Sequence, residues 1–175
     1  MFRTLKIPIG LVIALTMSVL ALSVVIVNKL EHNASVVDVV KGNTATLSNA
    51  LSLQLSVVME RSPGDNALFS SLFQPIKEHD NLISATLYDN DYQVISTIQP
   101  DSLNQLSNQS VPLDPAEIPF GVTQYDNVIT AHQIVGSSLY PLGHVVLYVD
   151  IEDIMAASSA RQIIKQVPIV IAVLL

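Results

Sequence analysis

The chain has 175 residues, eight Lys and Arg against fifteen Asp and Glu, a net charge of −7 and no cysteine. The missing thiols exclude disulfides, thiolate catalysis and cysteine-held zinc or iron–sulfur sites. The few basic residues form no patch to hold phosphates, which excludes nucleic acid as a partner.

The first element is an uncharged apolar run, Ile7 to Val27. About 21 helical residues at ~1.5 Å each span roughly 31 Å, one bilayer core. Arg3 and Lys6 precede the run, as in a secretory signal, and Ala21-Leu22-Ser23 has the small-x-small form of a cleavage site. The apolar stretch continues through Val24, Val25, Ile26 and Val27, longer than the roughly 7–15 residues of a signal core. An uncleaved anchor is the expectation, with residues 1–28 as cytoplasmic N-terminus and first membrane helix. Arg3 and Lys6 put the N-terminus in the cytoplasm, although Lys29 on the other flank makes the bias modest.

Residues 31–60 read as one long helix leaving the bilayer. Leu47, Leu51, Leu55 and Val58 recur at helical spacing. Gly42 is its weak point. The stripe fits packing on its own domain, and it equally fits a homodimer formed through this helix. Ser62-Pro63-Gly64-Asp65 makes a turn. A second helix follows to about Lys77, with Leu68, Phe69, Leu72, Phe73 and Ile76 on one face, and the polar Glu78, His79 and Asp80 close it.

The period then changes. Leu82 to Tyr88 and Tyr92 to Ile98 read as strands joined through Asp89-Asn90-Asp91, residue types that tolerate tight turns. Residues 99–119 carry Pro100, Pro112, Pro115 and Pro119 and read as a loop, either a disordered surface excursion or the border of a binding cavity. A short strand near Phe120 to Gln124 would complete a five-stranded sheet. Val128 to Val135 and Gly143 to Ile151 are two further strands, joined by the loop Gly136 to Gly143. A helix begins at about Glu152 and runs through Ile163 and Ile164 toward a second apolar run, Val167 to Leu175. That run ends without a polar flank, so residues 166–175 are expected to start a second membrane helix that continues beyond Leu175. Residues 29–165 form the domain between, and the fold class is α+β, a mostly antiparallel sheet with helices on one side.

Motifs for catalysis are wanting. His32, His79, His132 and His144 show no zinc-ligand spacing, Gly136-Ser137-Ser138 is not a nucleophile elbow, and no glycine-rich phosphate loop is present. Neither enzymatic activity nor a cofactor is expected. Tyr88, Tyr125, His132, Tyr140 and Tyr148 are amphipathic groups on or near the sheet. They are ordinary sheet residues or the lining of a pocket for a small-molecule ligand.

Tyr88-Asp89 followed by Val94-Ile95-Ser96-Thr97, with Pro141-Leu142-Gly143-His144-Val145-Val146-Leu147-Tyr148-Val149-Asp150 as a closing strand, resembles the PAS-like (Cache) extracytoplasmic sensor domains. Leu47-Ser48-Asn49-Ala50-Leu51-Ser52-Leu53-Gln54-Leu55, Leu87-Tyr88-Asp89 and Tyr140 to Leu147 resemble the YtjB/Smp-type small inner-membrane proteins, also labelled AhpA/YtjB or haemolysin-like. That family carries glycine in the first hairpin turn. The equivalent place here is Tyr92, so the turn is expected to rely on Asn90 and Asp91. The resemblance implies a PAS/Cache-like periplasmic domain held in a bacterial inner membrane, acting structurally or in signal transduction through protein contacts. It supplies no catalytic residues, and the haemolysin label has no support in these residues. The competing expectation is the ligand-sensing part of a histidine kinase, diguanylate cyclase or chemoreceptor.

Overall fold

The computed structural model describes residues 9–62, 66–77, 81–98, 106 and 110–160, and the side chains of 9–18, 21, 22, 66 and 75 are outside that description. The turn at 63–65, Glu78, His79, Asp80 and the second apolar run therefore lie outside the described residues. The chain divides into two compact units, Val37–Ile154 and Met1–Val36 together with Met155–Leu175.

Helix α1 runs from Ile9 to Arg61. Proline is absent from that whole stretch, so nothing removes a backbone donor or clashes with a preceding carbonyl. Arg61 sits in the last turn, where positive charge is favoured, and the Ser62 N–H closes on the Val58 carbonyl. Among the described residues no helix is long and apolar enough to cross a membrane. The run Ile7 to Val27 lies largely among side chains outside the description. Helix α2, Asn66–Lys77, buries Phe69, Phe73 and Ile76 and leaves Leu68 at its rim.

Five strands form one antiparallel sheet in the order β2-β1-β5-β4-β3. They are β1 Leu82–Tyr88, β2 Val94–Ile98, β3 Gly121–Tyr125, β4 Val128–Gly136 and β5 Pro141–Asp150. The α+β architecture is as read, and the strand expected near Phe120 completes the sheet as β3. Every residue of β1 is buried, because it has neighbours on both sides and cover on both faces. Alternation along the strands divides the core. On one face Leu51 and Leu55 of α1 and Phe69, Phe73 and Ile76 of α2 pack on Ala85, Leu87, Ala131, Val135, Val145 and Leu147. Leu47 and Val58 border that cluster, so the predicted stripe of α1 packs on its own domain. Ser52 of α1 adds a hydrogen bond to the Ile134 carbonyl at 2.9 Å.

Three expectations change in detail. The β1–β2 turn does not place Asn90 or Asp91 in the left-handed region. Tyr92 itself takes φ 58°, which is why β2 starts at Val94 and not at Tyr92. The Asp89 carboxylate holds the turn by accepting from the backbone N–H of Asp91 at 2.9 Å and of Gln93 at 2.8 Å. The β4–β5 loop is shorter than read, since Gly136 already pairs with Pro141. That close pairing brings Gly136, at φ 94°, against the Tyr140 carbonyl, and a side chain there would be strained. The long connection is not a disordered excursion in its described part. Leu106, Val111 and Ile118 are buried on the second face of the sheet, and Pro115–Glu117 forms a 3₁₀ turn capped by Asp114.

After β5, residues 152–160 are helical, and the Asp150 carboxylate accepts from the Glu152 N–H at 2.8 Å. In the smaller unit His32 and Ser158 lie 2.6 Å apart and Ser159 hydrogen-bonds Asn33 at 3.3 Å, which ties this helix to α1.

Candidate functional site

The sheet face away from the helices gathers the chemistry-bearing side chains. Residues two apart on a strand share a face. Thus Ser84, Thr86 and Tyr88 of β1, Val128, Thr130 and His132 of β4, and His144, Val146 and Tyr148 of β5 come together. Register sets the rows: Tyr88 is opposite His144, and His132 is opposite both Val146 and Gly121.

Four of the five expected pocket residues are on this face. Tyr88, Tyr148 and half-buried Tyr125 pack with Leu106, Val111 and Ile118, and His132 is 1% exposed. Tyr140 is not with them. It is 79% exposed in the β4–β5 loop. Leu106, Val111 and Ile118 cover the sheet there. Polar groups on this face are satisfied within the chain: Ser84 donates to the Ile98 carbonyl, Thr86 and Thr97 share a hydrogen bond of 2.9 Å, and Tyr148 donates to the Pro112 carbonyl at 3.4 Å. Burial raises the Tyr148 phenol well above its usual value, with Tyr88, Asp114 and Tyr125 adding to it. Burial raises Tyr88 too, offset in part by its hydrogen bond with Thr86.

Two histidines mark the end of this face. His132 Nδ1 is 2.8 Å from the Ile118 carbonyl oxygen, and its Nε2 is 3.4 Å from His144 Nδ1. A carbonyl can only accept, so His132 Nδ1 carries the proton and Nε2 presents a lone pair. Tyr92 stacks on His144 with ring centroids 4.7 Å apart, and Phe120 covers His132 at 4.4 Å. The left-handed φ of Tyr92 is what turns its ring back over β5. Burial lowers the pKa of both histidines, and His132 lowers that of His144 further. The pair is neutral near pH 7 and able to accept a proton, a hydrogen bond or a metal ion.

His144, Tyr92 and Phe120 are absent from the expected pocket residues Tyr88, Tyr125, His132, Tyr140 and Tyr148. The alternation His144, Val146, Tyr148 was the available signal for the first, since it puts His144 on the face of Tyr148. Nothing local signals that Tyr92 or Phe120 folds over the histidines.

On the helix face a groove of about 540 Å³ opens between Val40, Thr44 and Leu47 of α1 and Ile76, Leu82 and Val149. An exposed row on α1 is unusual in another way, and Asn43, Thr46 and Ala50 of that row also border the groove. Val39, Asn43, Thr46, Ala50, Leu53 and Val57, spaced alternately four and three residues apart, are all exposed, Leu53 at 69%. No charged residue occurs from 42 to 59.

Neither a scan against protein-family models nor a search of curated proteins gives a match.

Proposed function

We propose that this protein is a membrane-anchored extracytoplasmic module with a PAS/Cache-like sheet, resembling the YtjB/Smp-type envelope proteins, and that it works through protein contacts on α1. The observation that carries this reading is the exposed row Val39, Asn43, Thr46, Ala50, Leu53 and Val57 of α1, most of it within residues 42–59, a stretch without a charged residue. A solvent-facing helix ordinarily carries charge there. The four-three spacing is that of a coiled-coil seam, and Asn43, with Thr46 one of its two polar residues, is of the type that fixes register in a two-stranded pair. A second copy anchored through the same N-terminal run would present the same seam in parallel.

The sensor reading is favoured by one observation, the apolar groove along Val40, Thr44 and Leu47. Its size is within the range of small-molecule sites.

The anchored, extracytoplasmic placement is tested with Leu139→Cys. The chain has no other cysteine, and Leu139 is 83% exposed. The expected result is a membrane-fraction protein labelled by an impermeant maleimide on intact bacterial cells. Recovery in the soluble fraction, or protection of the cysteine until the cells are lysed, overturns the reading.

A further inference from the structure

We propose that His132 and His144 form a binding site for a divalent late transition-metal ion, of the Zn²⁺ or Cu²⁺ class, held through His132 Nε2 and His144 Nδ1. Three observations meet here. The first is the distance. His132 Nε2 and His144 Nδ1 are 3.4 Å apart, long for an N–H···N hydrogen bond. An ion bound ~2.0–2.1 Å from both atoms would see them at an angle of about 110°, the tetrahedral value.

The second is the tautomer. The bond from His132 Nδ1–H to the Ile118 carbonyl at 2.8 Å is the kind of outer contact that orients a ligating imidazole and leaves its other nitrogen with a lone pair. His144 Nδ1–H donates to that lone pair. On binding the ion, His144 passes this proton to solvent and takes one up at Nε2, so that both facing nitrogens ligate. Ile118 follows the capped turn Pro115–Glu117, so the carbonyl is held by ordered backbone. Burial keeps both rings neutral near pH 7, as a ligand must be.

The third is access. His132 is closed off, but its neighbour Phe120 is 58% exposed and His144 is 8% exposed. The pair therefore lies under the surface, behind the partly exposed Phe120 ring. Imidazole-only ligation suits zinc and copper and disfavours magnesium and calcium. Among the described residues no third histidine, cysteine, aspartate or glutamate completes a cluster. Two ligands are thus in place among the described residues. Sequence spacing conceals the pair because the two residues are 12 positions apart on neighbouring strands, offset diagonally by the β4–β5 register.

The test is isothermal titration of the full chain in detergent with Zn²⁺ and, separately, Cu²⁺ at pH 7.5. The expected result is one saturable ion per chain, weakened by more than about tenfold in His132→Gln and in His144→Gln and retained in His32→Gln and His79→Gln. Absence of a saturable site, or a site lost with His32 or His79 and kept in the other two variants, overturns the proposal. X-ray absorption on the zinc-loaded wild-type chain decides the matter without any variant. Two imidazoles with light N/O donors support the site, and a spectrum without imidazole scattering refutes it.

Discussion

Gly143 of β5 lies against the carbonyl oxygen of Tyr88 on β1 so closely that a Cβ at that position would overlap it. The contact is made where β1 turns out of the sheet toward Asp89, and the Met59 side chain of α1 closes the same spot from the other side. Backbone cannot yield there without breaking the Tyr88–His144 pairing. Gly143→Ala is therefore expected to cost about 2 kcal/mol or more, in the range of overpacked cores. Urea unfolding of the two proteins measures it, and an unchanged midpoint contradicts the packing described.

Gly42 is the opposite case. It is helical, and nothing stands within 4 Å of where a Cβ would be. Gly42→Ala is expected to stabilise α1 by ~0.5–1 kcal/mol through propensity and a less flexible unfolded chain. A raised thermal midpoint is the expected reading.

The β1–β2 turn makes a third prediction. Asp89 accepts two backbone N–H bonds with one carboxylate oxygen. These hold Tyr92 in its left-handed conformation over His144. Asp89→Ala is expected to lose about 1–2 kcal/mol and to release the Tyr92 ring, seen as a shift of the His144 ring resonances. Asp89→Asn keeps an acceptor oxygen and should retain most of both effects.

The histidine pair gives stability a pH dependence in the metal-free protein. Burial depresses both folded pKa values below the ordinary ~6.5. On acidification the unfolded chain binds these protons first, so folding is fully supported above about pH 6.5 and weakens as pH falls through the folded values. Carboxylates titrate nearer pH 4, which leaves a clear window. Unfolding free energy should decline between pH 6.5 and 5 in the wild type and decline less in His144→Gln. A flat wild-type profile over that window contradicts the burial of a neutral pair.

Much of this fold is legible in the residues. β1 and β2 announce themselves by β-branched runs around Asp89-Asn90-Asp91, and Leu51, Leu55, Phe69 and Phe73 fall on the core by period alone. What is not legible depends on long-range placement. Proline density marks residues 99–119 as irregular, yet says nothing of Leu106, Val111 and Ile118 plugging the second sheet face. Glycine is the expected left-handed residue, so Tyr92 at φ 58° is unexpected, and its strain is offset by ring stacking visible only once β5 is in place. On α1 both faces are apolar. The spacing of Leu47, Leu51, Leu55 and Val58 finds the buried one, while Leu53 and Val57 stand out only when exposure is known.

The exposed row of α1 carries the proposed pairing of two copies. Leu53→Cys and Leu139→Cys place single thiols in a chain that has none, at 69% and 83% exposure respectively. Under mild oxidation in native membranes, Leu53→Cys is predicted to run as a disulfide-linked dimer while Leu139→Cys remains monomeric. A monomeric Leu53→Cys, or equal cross-linking of the two, would contradict pairing through α1.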